Sequence, residues 1–69
     1  MLKLGKYQHF KGHYYQVLHI AKHSETEETL VVYHPFDKPD SVWVRPLSMF
    51  DETIEREGKT FKRFSYIST

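Results

Sequence analysis

The chain has 69 residues and a formal net charge of +1, with five phenylalanines, five tyrosines, one tryptophan and no cysteine. A chain of this length forms one small domain, which buries only about 60% of the surface that its unfolded form exposes. The absence of cysteine excludes disulfides and thiolate metal sites, and the small net charge argues against a strongly basic nucleic-acid-binding protein.

The N-terminal half predicts two strands separated by a turn. Residues 6–10 alternate weakly between polar and apolar side chains, and Gly12 marks the turn. Residues 14–23 are the longest strand candidate, with one predicted face formed by Tyr15, Val17, His19 and Ala21. Because both faces are partly apolar, this segment fits a long, twisted strand that contributes to both sides of a closed barrel.

The middle of the chain predicts a polar loop followed by a third strand. Residues 24–29 are polar and acidic, and Ser24 and Glu27 have the spacing of a helix capping box. Residues 30–33 are rich in β-branched side chains and predict a strand that Pro35 closes. Aspartates and a further proline then indicate a turn over residues 36–41.

The segment from Val42 to Phe50 is predicted to be the centre of the core. Its first four residues form a strand candidate that contains Trp43, the only tryptophan. Pro46 cannot donate to a strand ladder, but it is well suited to begin a short 3₁₀ turn near Pro46–Phe50. We expect Trp43 and most apolar residues of this segment, namely Val44, Leu47, Met49 and Phe50, to be buried, which leaves Arg45 without a structural role.

The C-terminal part predicts a hairpin and a closing strand. Residues 53–56 and 59–61 flank Gly58, which is suited to a tight hairpin turn. Residues 61–67 alternate and predict one closing strand. With five or six short strands in total, the sequence predicts an all-β fold, an SH3-like small barrel or roll. An OB-like barrel is the nearest alternative, but it needs a longer chain and a helix after the third strand.

The predicted organisation is a single SH3-like domain over residues 1–69, with residues 1–5 as a candidate flexible end. The N-terminus lacks the apolar stretch of a signal peptide, and nowhere in the chain is there an apolar run of about 20 residues that could span a membrane. We therefore expect a cytoplasmic protein that has no membrane partner.

Several motifs together resemble one small bacterial family, the domain of unknown function numbered 1653. They are Tyr7-x-His9-Phe10-Lys11-Gly12, Tyr15-x-Val17, Ala21-Lys22-His23-Ser24-Glu25-Thr26, Val31-Val32-Tyr33 and Trp43-Val44-Arg45-Pro46-Leu47-x-Met49-Phe50. The resemblance extends from Tyr7 to Phe64, and it implies a compact SH3-like β fold without an established activity. Relatives often have a glycine-rich turn between Tyr33 and Trp43, where this chain has two prolines and two aspartates.

The candidate ligand- or partner-binding site consists of His23, Ser24, Glu25 and Thr26, with Arg45 as a fifth member. Histidine beside serine and glutamate supplies groups used in acid–base and nucleophilic chemistry. Neighbours on a strand point to opposite faces, however, so His23 and Ser24 do not form a base–nucleophile pair unless the chain turns between them. The alternative is a structural loop in which these side chains satisfy backbone groups and bond to Arg45.

The five histidines do not predict a metal site. His9 and His13, like His19 and His23, are four residues apart, which on a strand separates them by about 13 Å. Two bonds of about 2 Å to one zinc ion cannot span that distance. The sequence also contains no phosphate-binding glycine loop and no cofactor motif, and so predicts no catalytic residue, no metal and no cofactor.

The sequence therefore predicts a non-enzymatic binding or adaptor module that recognises a protein segment or a small ligand. Its partner is unknown, and we expect a monomer. The alternative is single-stranded nucleic-acid (RNA) binding through a basic, aromatic-lined face, for which the candidate residues are Lys11, Lys22, Lys59, Lys62 and Arg63. Convergence of these cations beside exposed aromatic rings would favour the alternative.

Overall fold

The computed structural model describes residues 2–69, which form seven strands and one helical turn. In chain order these are β1 (Gly5–His9), β2 (Tyr14–Lys22), β3 (Thr29–Pro35), β4 (Trp43–Pro46), α1 (Leu47–Phe50), β5 (Thr53–Arg56), β6 (Lys59–Lys62) and β7 (Phe64–Ser68). The predicted all-β barrel or roll is confirmed. Within the described residues, no helix has the length and hydrophobicity needed to cross a membrane.

Five strands form one antiparallel sheet in the order β4-β3-β2-β1-β7, and β5 and β6 form a separate hairpin. The strand number exceeds the predicted five or six because the closing strand is divided at Arg63. The Arg63 N–H donates to the Glu52 carbonyl (2.8 Å), and the Phe10 N–H donates to the Arg63 carbonyl (2.9 Å). These bonds to two other segments redirect the chain between β6 and β7.

A register shift in β2 changes which side chains face the core. Val17 pairs with Tyr33, but His19 pairs with Val32, so Leu18 is the extra residue of a β-bulge. Val17 is buried and Ile20 packs against the core, whereas His19 is exposed. The prediction that Tyr15, Val17, His19 and Ala21 share one face is therefore wrong beyond Val17.

Phe50 of α1 lies at the centre of the core and is completely buried. Its ring stacks on Phe64 with centroids 4.0 Å apart, and it meets Tyr7 and Tyr33 edge-on at 5.4 and 5.3 Å. The turn that carries it is α-helical rather than 3₁₀, since the Asp51 N–H donates to the Leu47 carbonyl four residues back. The buried core consists of Tyr7, Val17, Val31, Tyr33, Phe50 and Phe64.

Trp43, predicted to be buried, lies at the surface with 47% of its area exposed. Val44 and Met49 are also exposed, so of the residues predicted to be buried only Phe50 is fully buried and Leu47 partly. The reason is the position of β4 at the edge of the sheet, where Trp43 has a cross-strand neighbour, Tyr33, on one side only. Tyr33 occupies the core, and Trp43 covers its outer rim.

The predicted β5–β6 hairpin is present, and its turn residues Glu57 and Gly58 both have positive φ, as a type I′ turn requires. The turn after β3 contains no glycine; the Lys38 and Ser41 N–H groups close it by donating to the carbonyls of Pro35 and Lys38. Of the segment 1–5, Met1 lies outside the described residues and Leu2 packs partly buried against the core.

Candidate binding site

The loop that contains His23, Ser24, Glu25 and Thr26 is held by its own hydrogen bonds. His23 Nδ1 accepts from the N–H groups of Glu25 (3.1 Å) and Thr26 (3.3 Å), and Thr26 Oγ1 accepts from the Glu28 N–H (3.2 Å). The His23 N–H also donates to the Glu28 carbonyl (2.8 Å). This arrangement matches one part of the structural interpretation, in which polar side chains satisfy backbone groups, although His23 rather than Ser24 acts together with Thr26.

Arg45 lies apart from this loop. Its Nε–H donates to the Tyr33 hydroxyl (3.2 Å), and its guanidinium lies 5.8 Å from the centre of the Phe64 ring. Within residues 2–69, no hydrogen bond or ion pair joins Arg45 to the His23–Thr26 loop. The structure thus does not bring the predicted five-residue site together, because Arg45 points to the inner face of the sheet.

Arg45 instead forms part of an open groove, which we call the Trp43 groove. Its volume is about 420 Å³, and its lining residues are Tyr33, Trp43, Val44, Arg45, Pro46 and Met49. β4 supplies four of them, and Met49 comes from the helical turn that follows. Trp43 and Arg45 share a face because they are two positions apart on one strand.

The Trp43 groove combines an apolar surface with one cation. Trp43, Val44 and Met49 are 47, 61 and 45% exposed. In the described part of the chain, the bond to Tyr33 is the one side-chain hydrogen bond that Arg45 makes, which leaves its terminal N–H groups available to an acceptor. A ligand with an apolar group and a carboxylate would meet complementary chemistry here.

A larger groove of about 510 Å³ lies between the N-terminal segment, α1 and β7, lined in part by Leu2, Tyr7 and Tyr66. Its charged groups already have partners in the protein. Lys62 Nζ lies 3.0 Å from the Asp51 carboxylate, and Lys3 Nζ lies 5.0 Å from the Tyr66 ring centre. We therefore favour the smaller Trp43 groove, where Arg45 still has free donors.

The five cations proposed for nucleic-acid binding do not share one face. Lys22 ends β2, about 26 Å along the strand from Tyr14 and the β1–β2 turn. Lys62 pairs with Asp51, and Arg63 pairs with Glu52 at 3.3 Å. Lys11 and Lys59 belong to the turn and hairpin at one end of the molecule, where no carboxylate pairs with them among residues 2–69.

The ring nitrogens of His9 and His34 form hydrogen bonds within the protein. His9 Nδ1 accepts from the Lys11 N–H (3.1 Å), and burial, followed by the nearby Arg63, Arg45, Lys11 and His13, lowers the pKa of His9. His34 is buried, and its Nδ1–H donates to the Pro35 carbonyl (2.6 Å). In residues 2–69 no group of three histidine, aspartate or glutamate side chains is placed to hold a metal ion.

Three residues of the groove, Trp43, Val44 and Met49, are predicted from the sequence to be buried, but the structure exposes them. Nothing in their local sequence distinguishes a buried strand from an edge strand, because exposure depends on which strands pair. One signal was present: Val42, Trp43 and Val44 are apolar in succession, so a strand here must expose apolar side chains on at least one face unless both faces are covered.

Two comparisons identify related proteins, and a search of curated proteins found no match. A family model described as protein of unknown function, DUF1653, matches residues 5–66. The crystal structure of a DUF1653 protein from Bordetella bronchiseptica superimposes with a TM-score of 0.83 and 31% sequence identity, covering 96% of this chain and 87% of the other. Because the family model matches nearly the whole chain, the protein belongs to the DUF1653 family.

Proposed function

We propose that this protein is a non-enzymatic binding module that recognises an extended protein segment at the Trp43 groove. The observation that carries the proposal is Trp43 itself, a tryptophan left 47% exposed in an open groove beside an arginine. Tryptophan and arginine are enriched among the residues that dominate protein–protein binding energy. An open groove also suits a segment better than a small ligand, whose sites usually enclose most of its surface.

The edge position of β4 supports an extended ligand. β4 pairs with β3 on one side, and no strand of the described chain pairs with its other side. Exposed edges of this kind are usually protected by lysines, bulges or covering segments. This edge exposes Trp43 and Val44. A partner segment that added as a strand would satisfy the free backbone groups and cover the apolar side chains.

Arg45 supports an acidic residue in the partner. Side chains alternate along an added strand, so every second partner residue would face the side of the sheet that carries Trp43 and Arg45. A carboxylate there could accept two parallel hydrogen bonds from the guanidinium. The expected partner is thus an extended segment in which an aspartate or glutamate is flanked by apolar residues.

The chemistry of the groove supports binding rather than catalysis. Among the residues that line it, the polar groups are the Arg45 guanidinium and the Tyr33 hydroxyl, which bond to each other. A general acid–base mechanism needs a positioned proton donor or acceptor with a suitable pKa, usually a histidine or carboxylate.

The cysteine-free sequence suits the reducing cytoplasm, where we expect the protein to act.

Selection from a random peptide phage library would test the proposal without assuming a partner. We expect enriched peptides to contain an acidic residue between apolar ones, and to bind the purified domain in a fluorescence anisotropy titration. Trp43→Ala and Arg45→Ala should each weaken binding about tenfold or more, as central aromatic and arginine contacts do. Circular dichroism would verify that both variants fold.

Phe36→Ala is the matched control, since Phe36 is an aromatic residue with similar exposure (49%) that does not line the groove. It should leave peptide affinity within about twofold of the native value, because surface residues outside an interface contribute little. Enriched peptides that bind the Trp43→Ala and Arg45→Ala proteins as tightly as the native protein would exclude the Trp43 groove as the site. Failure of the native domain to enrich any peptide would refute the function.

A further inference from the structure

A second surface, separate from the Trp43 groove, lies where the β1–β2 turn meets the β5–β6 hairpin. Its apolar part is formed by Phe10 and Phe61, whose ring centres are 5.5 Å apart. Both rings are partly exposed. They come from positions that are distant in the sequence, so the fold, and not the local pattern, creates this aromatic pair.

Cationic side chains flank the pair. Lys11 Nζ lies 5.9 Å and the Arg56 guanidinium 5.7 Å from the centre of the Phe10 ring. Arg56 pairs with Lys59 across the hairpin, two positions beyond the Ile54–Phe61 pair, so both cations lie on the face of Phe61. We call the set Phe10, Lys11, Arg56, Lys59 and Phe61 the basic end.

The basic end has an excess of positive charge. Within residues 2–69 no ion pair involves Lys11, Arg56 or Lys59. Glu55 pairs with Thr60 in the hairpin register and so faces the opposite side, while Glu57 in the turn supplies one opposing charge. Neighbouring His9 has its pKa lowered by burial and by surrounding cations, among them Arg63 and Lys11, which is consistent with a positive potential here.

We propose that the basic end binds single-stranded nucleic acid. Unpaired bases stack on aromatic rings, and lysine and arginine side chains contact the phosphates between them. A duplex hides its base faces, so it could use the cations but not the two rings. A purely acidic peptide such as polyglutamate has no apolar group to place on the rings, so it too could use the charges alone. The rings beside the cations therefore favour an unpaired strand over both.

Fluorescence anisotropy with a fluorescein-labelled oligouridine of about ten nucleotides, within the usual site size for small modules, would test this at low salt. We expect binding that weakens as salt rises. The double variant Lys11→Glu/Arg56→Glu should lose about tenfold or more in affinity, and its salt dependence should become shallower by about two phosphate contacts.

The control is Lys22→Glu, which changes the net charge as much as the single variant Lys11→Glu does. Lys22 ends β2, about 26 Å along the strand from the β1–β2 turn, and it is exposed. At about 0.1 M salt Lys22→Glu should lose less than about threefold, because the Debye length of about 10 Å is much shorter than that separation. Equal losses for Lys11→Glu and Lys22→Glu would show that only net charge matters and would overturn the proposal.

The rings need a separate test. Phe10→Leu and Phe61→Leu retain apolar side chains and the charges, and each should weaken oligouridine binding about fivefold or more through lost stacking. Binding that is unchanged in both leucine variants, or equally tight binding of a duplex or of polyglutamate, would overturn the nucleic-acid assignment. Trp43→Ala should bind oligouridine normally, so failure of this proposal and failure of the peptide-binding proposal are distinguishable.

Discussion

Alanine substitution at Phe50 should destabilise the protein more than alanine substitution at Trp43. Phe50 is completely buried and meets three aromatic rings, so its truncation leaves a closed cavity that costs about 3–5 kcal/mol. Trp43 is 47% exposed. A fully buried tryptophan side chain removes at most about 250 Å² of surface from solvent. About half of that area is buried here, so at about 25 cal/mol per Å² its burial contributes at most about 3 kcal/mol to stability.

We expect about 2 kcal/mol for Trp43→Ala, because alanine keeps the Cβ contacts and no enclosed cavity forms. Urea unfolding followed by circular dichroism would measure both free energies of unfolding, and it does not depend on tryptophan fluorescence. A domain of this size has only about 3–10 kcal/mol in total, so Phe50→Ala is expected to leave little folded protein. A larger loss for Trp43→Ala than for Phe50→Ala would refute the placement of the core around α1.

Three further predictions concern β1. Gly5→Ala should cost more than about 1 kcal/mol in urea unfolding, because Gly5 has φ +134° and an added Cβ would collide with the backbone of Ser68. Burial raises the pKa of the Tyr7 hydroxyl. The stability that the neutral Tyr7 side chain contributes is therefore fully present below pH about 10 and is lost as the pH rises through the folded-state pKa. Tyr7→Phe should make alkaline unfolding less pH-dependent. Burial, and then Arg63, lowers the pKa of His9, so the stability of the native protein should fall as the pH drops below about 6.5. His9→Gln should reduce that fall in thermal melts. The same dependence on acid pH in the native and His9→Gln proteins would contradict this.

The strands were largely predictable because their signals are local. Alternation, β-branched residues and the positions of proline and glycine indicated β1 to β5, and Gly58 identified the hairpin turn. The bulge at Leu18 was not predictable, since both faces of β2 remain partly apolar before and after it. The division of the last strand at Arg63 depends on carbonyls and N–H groups of distant segments, which leave no local signal.

The candidate site was less predictable because it depends on strand order. The local backbone bonds that the structural interpretation of the His23–Thr26 motif predicts are present, because they join residues close in sequence, but His23 and Thr26 make them and no bond to Arg45 is found within residues 2–69. The predicted contact requires the Arg45 side chain to lie toward the His23–Thr26 loop. The pairing of β4 with β3 instead places it on the face of Tyr33, to which it donates a hydrogen bond. Likewise, the exposure of Trp43 follows from the edge position of β4, which no single strand pattern reveals.

The pairing of β1 with β7 also determines when the domain can fold during its synthesis. Lys6 pairs with Ser68 and His9 with Phe64, so ladder contacts join residues of the domain that are synthesised early with residues that are synthesised much later. Contacts between such distant positions raise the contact order and slow folding. During translation β1 and β2 can form a hairpin, but the core side of the sheet cannot be completed until Phe64 has left the ribosome. We therefore expect this domain to fold after its synthesis is nearly finished, as one unit and not strand by strand.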